Sequence, residues 1–190
     1  MPRRPDPDVE RRILSAASRL WKKGGERALT MRAVANAAGT NTPAVYRRFH
    51  SRRAVLQAIL RQIQKDFAAA VAPSRSPEEA CERYLEFALS HPHEYELFYD
   101  YAYQLPRPVG ADRKVPLREQ RPTMALMGAK LAGHLGGSPA DHTRLSMALW
   151  AVSHGTAMIL ISRSIPTEHV AELRSVFSSA VEAMIRAASV

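Results

Sequence analysis

Apolar residues recur along this chain at three- and four-residue intervals, and no stretch alternates apolar and polar positions for long enough to make a strand. The spacing predicts an all-α fold of about nine helices. Val9, Ile13, Ala17, Leu20 and Trp21 stripe a first helix that opens at Asp6-Pro7 and ends at the Gly24-Gly25 pair. Thr30 is placed to cap a second helix, Met31 to Ala38, which Gly39 would end by supplying a positive φ. Asn41 is placed to cap a third, with Pro43 in its first turn, where no amide is missed. Ser51 caps a long fourth helix through Val55, Leu56, Ile59, Leu60, Ile63 and Phe67. After the break at Pro73–Pro77, Ser76, Pro77 and Glu79 form the pattern of a capping box with proline at the first helical position, and His91-Pro92 repeats the stop and start. The proline- and charge-rich segment Pro106–Pro116 reads as an exposed loop. Ser138-Pro139 is the expected start of a long uncharged helix, and Pro166-Thr167 precedes the last one.

The second and third helices divide their faces sharply. Met31, Val34, Ala35 and Ala38 fall on one side of the second, and Val45 and Phe49 give the third its own inward stripe. Thr42, Ala44, Tyr46 and Arg47 are left to point outward, and hydroxyl, amide, phenol and guanidinium groups together make up a DNA-reading surface. Charge follows the same segment. Residues 1–65 carry 15 Lys and Arg against four acids, a net +11, whereas residues 66–190 sum to −2. Positive charge gathered there fits counterion release from phosphates, the bland alternative being a solvated basic face.

The remaining composition mostly excludes. With 190 residues and 46% apolar content, the chain can bury a core as one large or two small domains. Cys81 is the single cysteine, so no intrachain disulfide can form and a cytoplasmic location is the simplest. MPRRPDPDVE has no apolar stretch after its positive charges, which argues for a flexible basic arm over a secretory signal. Between Arg144 and Arg163 no charge occurs, just reaching the length of a membrane span. Ser146, Ser153, His154, Gly155 and Thr156 sit within that run, so a helix buried in protein, with no membrane partner, is expected.

The ordered series Ile13, Leu14, Ala16, Ala17, Leu20, Trp21, Gly25, Thr30, Met31, Val34, Ala35, Ala38, Gly39, Asn41, Pro43, Ala44, Val45, Tyr46, Phe49, Ser51, Arg52 and Leu56 resembles the N-terminal domain of the TetR family of transcriptional regulators. WAVSHG, Trp150–Gly155, is similar to the tryptophan, histidine, glycine signature of one group of C-terminal domains in that family. The resemblance implies a helical homodimer with a DNA-binding domain at residues 8–66 (1–7 being the arm) and a ligand-binding and dimerisation domain at 67–190. The last two helices, Leu145 to Ile161 and Val170 to Ile185, would carry dimerisation. Arg52 stands where the family usually has lysine, turning a point charge into a planar fork. Leu29 stands where threonine is frequent, and His50 and Arg53 replace commoner lysine and glutamate.

On that frame Thr40, Asn41, Thr42, Ala44 and Arg47 would face the major groove, where arginine reads guanine and a methyl meets thymine. Thr30, Tyr46, His50 and Arg52 would bind phosphates, and Arg3 and Arg4 could reach a minor groove. Phe98, Tyr101, Met127, Trp150, His154 and Met158 are the candidate contacts for a small apolar or aromatic ligand, drawn from a wider set that includes Tyr84, Phe87, Tyr99, Tyr103 and Met124. His154, one turn after Trp150, is the sharpest polar candidate, with a packed core histidine as its alternative.

His91, His93, His134, His142 and Glu94 match no zinc spacing, so no metal is expected. Ser153 and His154 point about 100° apart on a helix and cannot form a nucleophile and base pair. No glycine-rich phosphate loop is present, so neither a cofactor nor an enzymatic activity is expected. Three readings follow: a ligand-released repressor of a palindromic operator, a DNA-binding protein without an effector, and an interaction module whose basic half serves another polyanion.

Overall fold

The computed structural model describes residues 7–101 and 122–189. The basic arm with Arg3 and Arg4, the loop expected at Pro106–Pro116 and Tyr103 lie outside the described residues. Among those described are nine α-helices and no strand: α1 (Pro7–Ala28), α2 (Met31–Ala37), α3 (Thr42–Arg48), α4 (Arg52–Val71), α5 (Pro77–Ser90), α6 (Pro92–Tyr101), α7 (Pro122–Leu135), α8 (Thr143–Ile161) and α9 (Val170–Ala187). A short 3-10 turn, Thr167–His169, leads into α9. The chain divides into two compact units, one built within Met1–Ile63 and Leu97–Leu105, the other within Gln64–Glu96 and Pro106–Val190. Residues of α4 and α6 therefore serve both.

In the first unit Ile13, Ala16 and Ala17 of α1 close on Val34, Ala35, Val45, Phe49 and the α4 stripe Val55, Leu56, Ile59, Leu60 and Ile63. Leu97 and Phe98 of α6 complete this core. Local caps set the short elements. Thr30 Oγ1 accepts from the Ala33 amide at 3.2 Å, Asn41 Oδ1 from Ala44 at 2.9 Å, and Ser51 Oγ from Ala54 at 3.1 Å. Between α2 and α3, Gly39 sits at φ +64°, a conformation that costs any residue with a Cβ. The first helix is interrupted at the Gly24-Gly25 pair, as the pattern requires, but the chain makes one further turn to Ala28 before Leu29 is buried.

In the second unit α8 packs on α5, α7 and α9, and α9 returns onto α5. Phe67, from the C-terminal half of α4, stacks on Phe87 with ring centroids 4.5 Å apart. Ser76 caps α5, accepting from the Glu79 amide at 3.2 Å, but the box is not reciprocal: the Glu79 carboxylate takes the Arg75 amide at 2.6 Å, one residue further back. That backbone bond, with the Arg83 guanidinium, holds the Glu79 carboxyl below its ordinary value. Ser138-Pro139 does not open α8. Asp141 folds back onto the Ser138 amide and hydroxyl at 2.8 and 2.9 Å, closing a turn, and the helix begins only at Thr143.

By length and composition α8 is the one described helix that could cross a membrane. Its inward face, however, carries Ser146, Ser153 and Thr156 beside Leu149 and Ala157, all buried against protein. That face packs on protein, and the helix is not a membrane span.

Candidate functional site

The residue types of α3 decide what its two faces can do. Val45 is fully buried and Phe49 is 7% exposed, which pins the helix to the core, while Tyr46 on the other side is 49% exposed. Asn41, Arg47 and His50 are exposed with it, and Thr40, Thr42 and Ala44 are half-buried at the same end. Thr30, exposed at the start of α2, still has a hydroxyl proton to donate while its oxygen holds the Ala33 amide. The structure thus brings Thr40, Asn41, Thr42, Ala44, Tyr46, Arg47 and His50 onto one short element and its flanks. That surface also carries cations that no described acid pairs. Arg47 and Arg53 are exposed. By contrast, Arg48 lies 3.4 Å from the Glu10 carboxylate.

Arg52 has a second commitment that the sequence reading did not include. Its guanidinium reaches back to the end of α1, donating to the Glu26 carboxylate at 2.6 Å and to the Glu26 carbonyl at 3.3 Å. With both partners 49% exposed, the pair is worth at most about 1 kcal/mol. It ties α4 to α1 and partly spends the charge assigned to phosphate. Glu26 lies 26 positions away, and no local pattern signals the pairing.

The second unit contains a small cavity of about 20 Å³ lined by Cys81, Tyr84, Thr123, Met124, Met127, Ser146, Leu149, Trp150 and Ser153. That is room for roughly one water, far below the several hundred Å³ of a typical drug-sized site. Of the ligand candidates, Met127 and Trp150 line it. His154 stands behind it, stacked on Trp150 at 5.7 Å and joined to Tyr95 Oη through Nδ1 at 2.7 Å, and Tyr95 Oη meets Tyr84 Oη at 2.8 Å. Phe98 and Tyr101 do not reach this cavity. Phe98 is buried in the core of the first unit, and Tyr101 meets Trp21 edge-on at 5.0 Å. Met158, half-buried on α8, is not part of the lining either.

Two side chains that the sequence reading did not place at a site complete the picture. Ser146 Oγ is buried and has no hydrogen-bond partner, a state that costs roughly 1–3 kcal/mol. Lys130, one turn beyond Met127 on α7, donates to the carbonyls of Ala72 and Ser74 and so caps the C-terminal end of α4. Ser146 had a signal, a hydroxyl inside an otherwise apolar run; Lys130 had none. Cys81 is inert by environment, since burial pushes its thiol up to about 12. Among the described residues no His, Cys, Asp or Glu cluster is arranged to hold a metal ion. His91 Nδ1 lies 3.2 Å from the Phe87 carbonyl and His142 Nε2 lies 2.7 Å from the Gly136 carbonyl.

Comparison with known proteins agrees with the capped helix pair and the helical second unit. No curated protein matches the chain. Among solved structures it is similar to the multidrug binding protein EbrR complexed with imidazole (24% identity, TM-score 0.65, covering 97% of this chain and 93% of that one). It is also similar to a TetR transcriptional regulator from Streptomyces coelicolor (17%, 0.64, 95% and 97%) and to TetR from Acinetobacter baumannii AYE (17%, 0.60, 92% and 93%). At these identities the likeness establishes the fold. Residues 13–59 match the model of bacterial regulatory proteins of the tetR family, and residues 78–184 match the tetracyclin repressor-like C-terminal domain, more than half the chain. The chain therefore belongs to the tetR family of bacterial regulatory proteins, a transcriptional regulator built around a DNA-binding helix pair and not an enzyme.

Proposed function

We propose that the protein acts in the cytoplasm as a homodimeric repressor, binding a two-fold symmetric operator with one α3 from each protomer and leaving it when a small molecule enters the second unit. The observation that carries this reading is the division of α3: Val45 and Phe49 buried, Tyr46 and Arg47 exposed. Arg47, Thr40, Thr42, Ala44 and the Asn41 amide nitrogen, whose oxygen is committed to the cap, would meet base edges. Tyr46, His50 and the Thr30 hydroxyl would hold phosphates, with Arg52 contributing through whichever donors Glu26 leaves.

Dimerisation is supported by apolar surface on the last two helices. Only 28% of the apolar window of α8 is buried within the chain, and Met147, Ile159 and Val176 are 43%, 36% and 57% exposed. Release is supported by position. Met124 and Met127 line the cavity from α7, and Lys130 on the same helix grips the end of α4. A ligand that pushes α7 would move α4, and α4 runs back to α3. The two reading helices would then depart from the ~34–36 Å that one duplex turn demands. The fold relative EbrR binds imidazole, a small ring compound, consistent with an effector of that kind.

The test is selection of genomic DNA by the purified protein at stated salt, followed by titration on the best site. A symmetric site is expected, with binding lost in the Tyr46→Ala, Arg47→Ala double variant while the melting temperature is retained. Recovery of only salt-sensitive, sequence-indifferent binding would defeat the repressor reading.

A further inference from the structure

The one buried polar side-chain atom without a partner among the described residues is Ser146 Oγ, and it lines the cavity. Serines inside helices usually return their proton to the carbonyl four residues back. Ser162 and Ser189, just past the ends of α8 and α9, do so toward Met158 O at 2.6 Å and Ile185 O at 3.1 Å, and Ser178 within α9 gives its proton to the Glu82 carboxylate at 2.6 Å. Ser146 is 3% exposed and does neither, although its own amide holds the His142 carbonyl at 2.8 Å. A buried hydroxyl that no protein group satisfies, facing a cavity, is a group that a ligand could pair.

The walls around it narrow the chemistry. Among the described residues no charged side chain lines the cavity, so a cation or carboxylate would be desolvated there without compensation from them. Trp150 and Tyr84 supply flat aromatic surface, and Met124 and Met127, flexible and polarizable, are the side chains that can retreat to enlarge a void of about 20 Å³. We propose, building on the effector-release reading, that this cavity takes an uncharged single-ring compound whose one hydroxyl, carbonyl or ring nitrogen bonds Ser146.

Phenol is the probe, with toluene as the partner of equal shape that lacks the hydrogen-bonding group. Titration calorimetry follows affinity, and the Met124 and Met127 methyl resonances report the site. Phenol should bind and shift both methyls. Ser146→Ala should weaken phenol about tenfold while leaving toluene unchanged or tighter, and it should raise the melting temperature of the free protein, because an unpaired buried hydroxyl is removed. Equal losses for the two probes, a lowered melting temperature, or a crystal structure with only an ordered water on Ser146 and no phenol at millimolar concentration would overturn the proposal. Phenol bound through Ser146 with operator affinity unchanged would leave this inference standing and refute effector release instead.

Discussion

The α2–α3 pair and the α7–α8 pair place their chemistry on opposite sides of the surface. In the first, the reactive groups are exposed and polar, and the helix is held from behind by Val45 and Phe49. In the second, the groups face a small neutral cavity, and the side chains that would touch a ligand also pack the core. Binding and stability are thus separable in the first unit and entangled in the second. The largest effect that could break this contrast is within α3 and its cap. Phe49→Ala should cost about 3–5 kcal/mol and abolish DNA binding by unfolding the unit. Tyr46→Ala, three residues away, should change stability by less than about 0.5 kcal/mol while lowering operator affinity roughly 5- to 150-fold. Denaturant midpoints and anisotropy titrations at fixed salt distinguish the two; a Tyr46 variant as unstable as the Phe49 one would show that the separation is false.

Next in size is the link between cavity and α4. Lys130→Met keeps the apolar stem but drops the ammonium that holds the Ala72 and Ser74 carbonyls. Loss of about 2 kcal/mol is expected, because the bonds involve a charged donor, along with a severalfold change in operator affinity from a helix end that is no longer fixed. Wild-type stability and affinity in this variant would leave α7 without a means of moving α4.

What could be read from the chain follows the range of the interactions. Thr30, Asn41, Ser51 and Ser76 each accept from an amide three residues on, so the helix starts they govern are written locally. Ser138-Pro139 shows the limit of such rules: a serine and proline at a start position were outcompeted by an Asp141 carboxylate that closed the turn first. Arg52 with Glu26, Lys130 with the end of α4, and the void beside Ser146 depend on contacts between distant segments. Aromatic and methionine content marked the second unit as ligand-capable, but it could not separate Trp150 and Met127, which line the cavity, from Phe98 and Tyr101, which belong to the other core.

Smaller again is the cap itself. Asn41→Ala removes the acceptor for the Ala44 amide and should cost about 1 kcal/mol. Operator affinity should fall as well, since α3 frays where it would meet DNA. Thermal melts compared with anisotropy would show whether the two losses travel together.

The same operation on α5 should behave differently with pH, and that sharpens the contrast between the units at its finest grain. Thr30 and Asn41 cap α2 and α3 with neutral oxygens, so their contribution is indifferent to acid. The start of α5 leans on a carboxylate as well as on the Ser76 oxygen: Glu79 accepts from the Arg75 amide first and from Arg83 second, and both hold its folded pKa below the ordinary 4.5. A depressed folded pKa means that the unfolded chain binds the proton more readily, so stabilisation is fully present above the unfolded value and drains as pH falls through the folded one. Melting temperatures of wild type and Glu79→Gln should therefore differ at pH 7 and draw together as pH falls from the ordinary carboxylate value through the lowered folded one, whereas wild type and Asn41→Ala should stay apart by the same margin across that range. Because the carboxylate is exposed, the Glu79 difference is expected to be the smallest of those predicted here. A Glu79→Gln deficit that persisted undiminished into acid would mean that the side chain's shape, and not its charge, holds the first turn of α5.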